Sequence, residues 1–118
     1  MLGSKKRIPK NIFNTNIFRS ETFHSDGFCI RTIFLTKNMC DVYGKQTRVA
    51  VIVSKKISKH ATDRNKIRRR IYSIIELCYY DLKKGHMIVI STKKDIMSMS
   101  FRILSEKIKK TLKKAKLL

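Results

Sequence analysis

Two short and almost uninterrupted apolar runs flank one long segment of helical period, and this strand, helix, strand succession restricts the chain to folds in which the helix packs back on the sheet its neighbours form. The first run, Arg48 to Ser54 (Arg-Val-Ala-Val-Ile-Val-Ser), reads as an interior strand covered on both faces, and Met87 to Ile90, opened by Gly85 and closed by Ser91 and Thr92, reads as another. Between them Ile67, Ile71, Ile74, Ile75, Cys78, Tyr79 and Leu82 recur at steps of three and four, which predicts a helix from about Arg64 to Lys84 with one apolar arc. Upstream, Phe28 to Leu35 is rich in β-branched and aromatic residues and reads as a strand, followed by a turn over Lys37 to Gln46. Phe13, Ile17 and Phe18 predict a short N-terminal helix, and Phe101, Leu104, Ile108, Leu112 and Ala115 stripe a closing helix from Ser100 to Lys116. The expected fold class is α+β, a small mixed sheet packed against helices. At 118 residues the chain suits one domain, 9–118, behind a flexible basic segment, 1–8.

Charge narrows the function. The chain carries 28 Lys and Arg against 8 Asp and Glu, a formal net charge of +20, so compaction works against self-repulsion unless a polyanion neutralises it. A membrane surface would require a basic amphipathic helix or a lipidation site as the main attachment, whereas the longest apolar runs here are strand-sized, so no membrane partner is expected. The first ten residues lack the apolar core of a secretory signal, and the expected address is the cytoplasm. Cys29, Cys40 and Cys78 have neither redox nor zinc spacing and are expected to be reduced thiols; no metal ligands are assigned. The acids are scattered, and His24, His60 and His86 fall in separate segments without a nucleophile or acid partner, so no catalytic residues are expected in the protein.

The densest cationic segment contains Lys55, Lys56, Lys59, Arg64, Lys66, Arg68, Arg69 and Arg70 against the single acid Asp63. It joins a strand end to a helix start, with Asp63 or Thr62 as the expected N-cap. Cations in the first turns of a helix oppose its macrodipole at about 0.3 to 1 kcal/mol each, an arrangement that makes sense where a phosphate is to be held. At 100° per residue Asn65, Arg69, Tyr72 and Glu76 form a polar stripe beside the isoleucine face. Guanidinium forks bind phosphate and stack on bases, amides bond base edges, and tyrosine stacks on unpaired bases, a mixture suited to RNA.

Arg64-Asn65-Lys66-Ile67-Arg68-Arg69, opening a helix and preceded by Val53-Ser54-Lys55-Lys56 at a strand end, resembles the hallmark of bacterial ribonuclease P proteins. The resemblance extends over nearly the whole chain: a Phe-containing helix before the sheet, Arg48 opening the second strand, Gly85 to Ile90 as the late strand, and Ser100-Phe101 at the start of a lysine-rich terminal helix. It implies an αβββαβα ribonuclease P protein fold, a type also found in a domain of a ribosomal protein, with a left-handed βαβ crossover against the general right-handed preference. It further implies an accessory subunit of an endoribonuclease whose RNA performs the hydrolysis with Mg²⁺ held mainly by that RNA. The implied partners are ribonuclease P RNA and precursor tRNA, with no DNA, in a holoenzyme of one protein and one RNA.

On this resemblance Lys55, Lys56, Lys59, Arg64, Asn65, Lys66, Arg68, Arg69 and Arg70 are expected at the catalytic RNA. Phe13, Ile17, Phe18, Phe28, Ile30, Thr32 and Tyr72 are expected to line a groove for the single-stranded 5′ leader. The sequence departs from the family pattern at four places: Tyr72 stands where a basic residue is common, Phe13 and Phe18 are five apart, Arg31 occupies a strand aromatic's place, and Glu21 that of a turn glycine. A self-sufficient nuclease and a ribosomal or chaperone RNA binder are the rival readings. The first lacks a catalytic constellation, and the second does not require the Ser-Lys-Lys to Arg-Asn spacing.

Overall fold

The structure is a computed structural model that describes residues 7–8, 20–34, 46–93, 96 and 98–118. The N-terminal helix expected around Phe13, Ile17 and Phe18, the turn after Leu35, and Cys40 lie outside the described residues. In chain order the described elements are strands β1 (Ser20–Ser25), β2 (Phe28–Phe34) and β3 (Arg48–Ile52), helix α1 (Ala61–Cys78) with a 3-10 turn (Tyr79–Asp81), strand β4 (His86–Thr92) and helix α2 (Phe101–Lys114).

The sheet order is β1-β2-β4-β3. β1 and β2 form an antiparallel hairpin joined by Asp26-Gly27, with Gly27 at φ 85, a conformation glycine adopts without the steric cost of a Cβ. β2 pairs antiparallel with β4, and β4 pairs in parallel with β3, so α1 is the crossover of a βαβ unit. The reading of Arg48 to Ser54 as an interior strand is therefore corrected: β3 is an edge strand, ends at Ile52, and owes its apolar run to cover from above and below. Its outer edge is blunted, because Val49 O accepts a hydrogen bond from Ile8 N (3.1 Å) and Val51 N donates to the Tyr72 hydroxyl (3.2 Å).

Strand alternation divides the core. Phe28 and Ile30 of β2, Val49 and Val51 of β3, and Ile88 and Ile90 of β4 face the helices, where Ile67, Ile71, Ile74 and Ile75 of α1 and Leu104, Ile108 and Leu112 of α2 close over them. On the reverse face Ile33, Ala50, Met87 and Val89 pack with Ile8 into a smaller cluster. The apolar arc of α1 is as expected, although the helix starts at Ala61 rather than Arg64 and stops at Cys78, with Tyr79 and Leu82 buried beyond its end. Burial pushes the Cys78 thiol up, Lys109 opposing and Asp81 adding to the shift, as suits a packing residue. Ser100 caps α2 by accepting from Ile103 N at 3.3 Å. No helix among the described residues is long and apolar enough to cross a membrane.

Candidate nucleic-acid interface

β3 delivers the chain to a tight connection in which Ile57 N bonds Ser54 O, and α1 begins four residues later. The N-cap is His60, not Asp63 or Thr62, and no side chain caps the helix start. Asp63 instead sits in the first turn and accepts from Ser58 Oγ at 3.1 Å, while the same hydroxyl accepts from His60 N at 3.2 Å. Arg64 reaches back along the connection, its Nη1 donating to Ser58 O (2.9 Å) and Lys59 O (3.1 Å). The only acid of the basic segment and one of its arginines thus hold the connection in shape. The cations on either side are left outside that clasp.

Lys55, Lys56, Lys59, Lys66, Arg69 and Arg70 are exposed, and Arg68 is half-buried with its Nη1 donating to the exposed Asn65 Oδ1 at 2.6 Å. Arg68, Asn65 and Arg69 form one flank of α1, and Lys66 and Arg70 the other, where with Asp63 and Ile67 they line a recess of about 230 Å³. The sequence-predicted basic residues are therefore brought together on one end of the molecule. This surface presents guanidinium and ammonium groups next to a helix start that no side chain caps, an arrangement that attracts phosphate oxygens.

The described residues assigned to a leader groove are buried and do not line an open surface. Phe28 and Ile30 are fully buried and Thr32 nearly so, all on the helix side of β2, because the strand's period of two commits alternate residues to the face that α1 and α2 cover. Tyr72 is also buried, at 7% exposure, its hydroxyl occupied by Val51 N, so it stabilises the β3 edge rather than forming a stripe with Asn65, Arg69 and Glu76. Phe13, Ile17 and Phe18 lie outside the described residues. On the reverse face, β-sheet register instead aligns Thr22 with Arg31 and His24 with Cys29, and places Val89, Ser91 and Ile52 alongside. Arg31 and His24 are exposed there, and Ile52 is 43% exposed. The signal for this face was the alternation Cys29, Arg31, Ile33 against Phe28, Ile30, Thr32; the departure at Arg31 marked the residue of that set that is exposed. Glu21, expected at a turn, is a residue of β1.

The fold and the basic helix start define a small α+β protein built around one βαβ unit, of the class that presents a cationic face to a polyanion. The family model described as Ribonuclease P matches residues 3–116. The chain belongs to the ribonuclease P protein family. It is 32% identical over 87 residues to the ribonuclease P protein component of a Pseudanabaena species, covering 74% of this chain and 75% of that protein. It is 27% identical over 100 residues to that of Rippkaea orientalis, covering 85% and 77% respectively. Among solved structures, an RNase P protein mutant of Staphylococcus aureus, described as defective in mRNA degradation, superposes with a TM-score of 0.79 at 23% identity, covering 96% of this chain and 90% of that one. The RNase P protein of Thermotoga maritima gives a TM-score of 0.72 at 21% identity over 92% and 96%. These likenesses establish the fold.

Proposed function

We propose that the chain is the protein subunit of a ribonuclease P ribonucleoprotein, which binds the catalytic RNA through the 55–70 surface and promotes endonucleolytic removal of the 5′ leader from precursor tRNA. The observation that carries this reading is the exposed cation array about a helix start whose one acid, Asp63, is engaged with Ser58. Lys55, Lys56, Lys59, Lys66, Arg69 and Arg70 supply charge to the RNA backbone, Arg68 and Asn65 act as a hydrogen-bonded pair at its side, and Arg64 fixes the connection. The leader lies along the reverse face of the sheet, where Arg31 offers a guanidinium to phosphate or to a base plane; Phe13 and Phe18 are the residues expected from the sequence to stack on its bases.

Among the described residues no three His, Cys, Asp or Glu side chains come together as a metal site. Mg²⁺ belongs to the RNA in this reading, and the protein contributes by neutralising phosphate repulsion and holding the substrate. The protein acts in the cytoplasm as one copy per RNA. Reconstitution tests the proposal. The full chain and a bacterial ribonuclease P RNA, each inactive alone at low Mg²⁺, are expected to cleave precursor tRNA together; cleavage by the protein alone, or no gain on adding it to the RNA, overturns it.

A further inference from the structure

A second cationic concavity lies at the opposite end of α1. The connection from α1 to β4 and the end of α2 are far apart in sequence but are tied by their backbones, with Lys83 N donating to Leu117 O at 2.9 Å. That bond brings Lys83 and Lys84 of the connection beside Lys113, Lys114 and Lys116 of the C-terminal turn, all five exposed. Lys83, Lys114 and Lys116 line a cavity of about 520 Å³ at this end, together with His86, Phe23 and one carboxylate, Glu21. Lys113 and Lys114 complement the dipole at the helix C-terminus, as basic residues in a last turn do. Lys83 and Lys84 belong to another segment and have no such local reason. Three residues before Lys83 in the chain, Tyr80 stands 84% exposed, its ring edge-on to Tyr79 with centroids 5.5 Å apart. Lysines with an exposed aromatic ring on the same connection are the composition of a surface that binds single-stranded nucleic acid.

We propose that this lysine-lined concavity between the α1–β4 connection and the end of α2 is a second RNA-binding surface, which takes phosphate groups other than those met at the start of α1. The two surfaces are separated by the 18 residues of α1, roughly 27 Å at 1.5 Å per residue, so one phosphate cannot serve both. Lys83 and Lys114 hold backbone phosphates at the rim, Lys116 closes the far side, and Tyr80 offers a face to an unpaired base. Glu21, the one carboxylate of the lining, keeps the site from being uniformly positive. The inference rests on RNA being the partner but not on which end of α1 meets it.

The test is binding of a ribonuclease P RNA transcript by the full chain across a salt series. The far-end variant is Lys83→Ala, Lys114→Ala, Lys116→Gly. Glycine is used at 116 because that residue sits at φ 60, where glycine is unstrained. The near-end variant is Arg68→Ala, Arg69→Ala. Loss of three phosphate contacts lowers the slope of log affinity against log salt by about 2 to 3, with at least a roughly tenfold loss of affinity near 0.1 M salt. Arginine at the three far-end positions is expected to preserve the slope, and all variants to keep the parental fold by circular dichroism with a cooperative melt. The losses at the two ends are expected to add in free energy, as for sites this far apart. A far-end variant with parental affinity and slope overturns the inference and leaves the near-end docking standing if Arg68 and Arg69 matter. A loss at the far end alone keeps the inference and removes the near-end assignment; no loss in either variant rejects both.

Discussion

Replacing Tyr72 by Phe separates the two roles its position allows. The ring is buried and would remain so, while the hydroxyl that accepts from Val51 N at 3.2 Å would be lost. Val51 is 7% exposed and its N–H points away from β4 at the outer edge of β3, so the amide is left without an acceptor. Stranding a buried donor costs about 1 to 3 kcal/mol, and the lower half of that range applies at a sheet edge where water can approach. For a domain of this size each kcal/mol moves the midpoint by about 3 to 6 °C, so the variant is expected to melt on the order of 5 °C below the parent. Amide hydrogen exchange at Val51 should quicken in step. RNA affinity and its salt slope are expected to stay at the parental values, since the ring has no exposed face to stack on a base. A Tyr72→Phe protein with parental stability and weakened leader or RNA binding would refute the assignment of this residue to the sheet edge.

Two further perturbations probe the scaffold. Gly27→Ala puts a Cβ on a residue at φ 85 and 2.7 Å from the Met99 methyl, so denaturant unfolding should show a loss of about 1 to 3 kcal/mol; an unchanged midpoint would mean that the hairpin does not need this turn. His86 is held below the ordinary imidazole range, chiefly by burial and secondarily by Lys83, so the unfolded chain takes up its proton more readily than the folded one. Its contribution is present above the ordinary imidazole pKa and is lost as pH falls from there through the lowered folded value. The parent should therefore lose stability on acidification across that window, and His86→Gln should lose less in the same melts; identical pH profiles would exclude this linkage.

The helix faces were legible in the sequence because their period is regular. Ile67, Ile71, Ile74 and Ile75 are buried as the spacing required, and Leu104, Ile108 and Leu112 line the inner face of α2. β1 was not legible, since Ser-Glu-Thr-Phe-His-Ser has a single large apolar residue, Phe23; an edge strand paired only with β2 can be polar on both faces. The Asp26-Gly27 pair was its one sequence signal, a two-residue hairpin connection in front of an apolar strand. The basic residues at the α1 start fall on one end of the molecule because they lie close together in sequence and charge at that density stays at the surface. The proposed groove residues of β2 were misplaced for a related reason: alternation tells which residues share a face, but only the positions of α1 and α2 decide which face is closed. Tyr72 was misread because a hydroxyl used by a strand edge leaves no mark in a helical pattern, and the lysines at the far end escaped notice because they come from two distant segments.

The charge on α1 and the stability of α1 are supplied by different residues, and this predicts that the two can be moved in opposite directions. The inner arc is apolar and buried irrespective of what the outer surface carries, while Lys66 and Arg70 stand one turn apart on the exposed flank, a like-charge pair at i and i+4. Such a pair destabilises a helix by a few tenths of a kcal/mol, and the chain's net charge of +20 adds diffuse repulsion to it. Lys66→Gln with Arg70→Gln keeps helix propensity and side-chain length nearly unchanged. The free protein is then expected to gain up to about 1 kcal/mol at low salt, the gain shrinking as salt rises, while its affinity for ribonuclease P RNA falls and the salt slope drops by about 1 to 2. A variant that is less stable and binds RNA as well as the parent would show that these cations serve the fold, whereas the opposed signs are what a surface kept for phosphate must give.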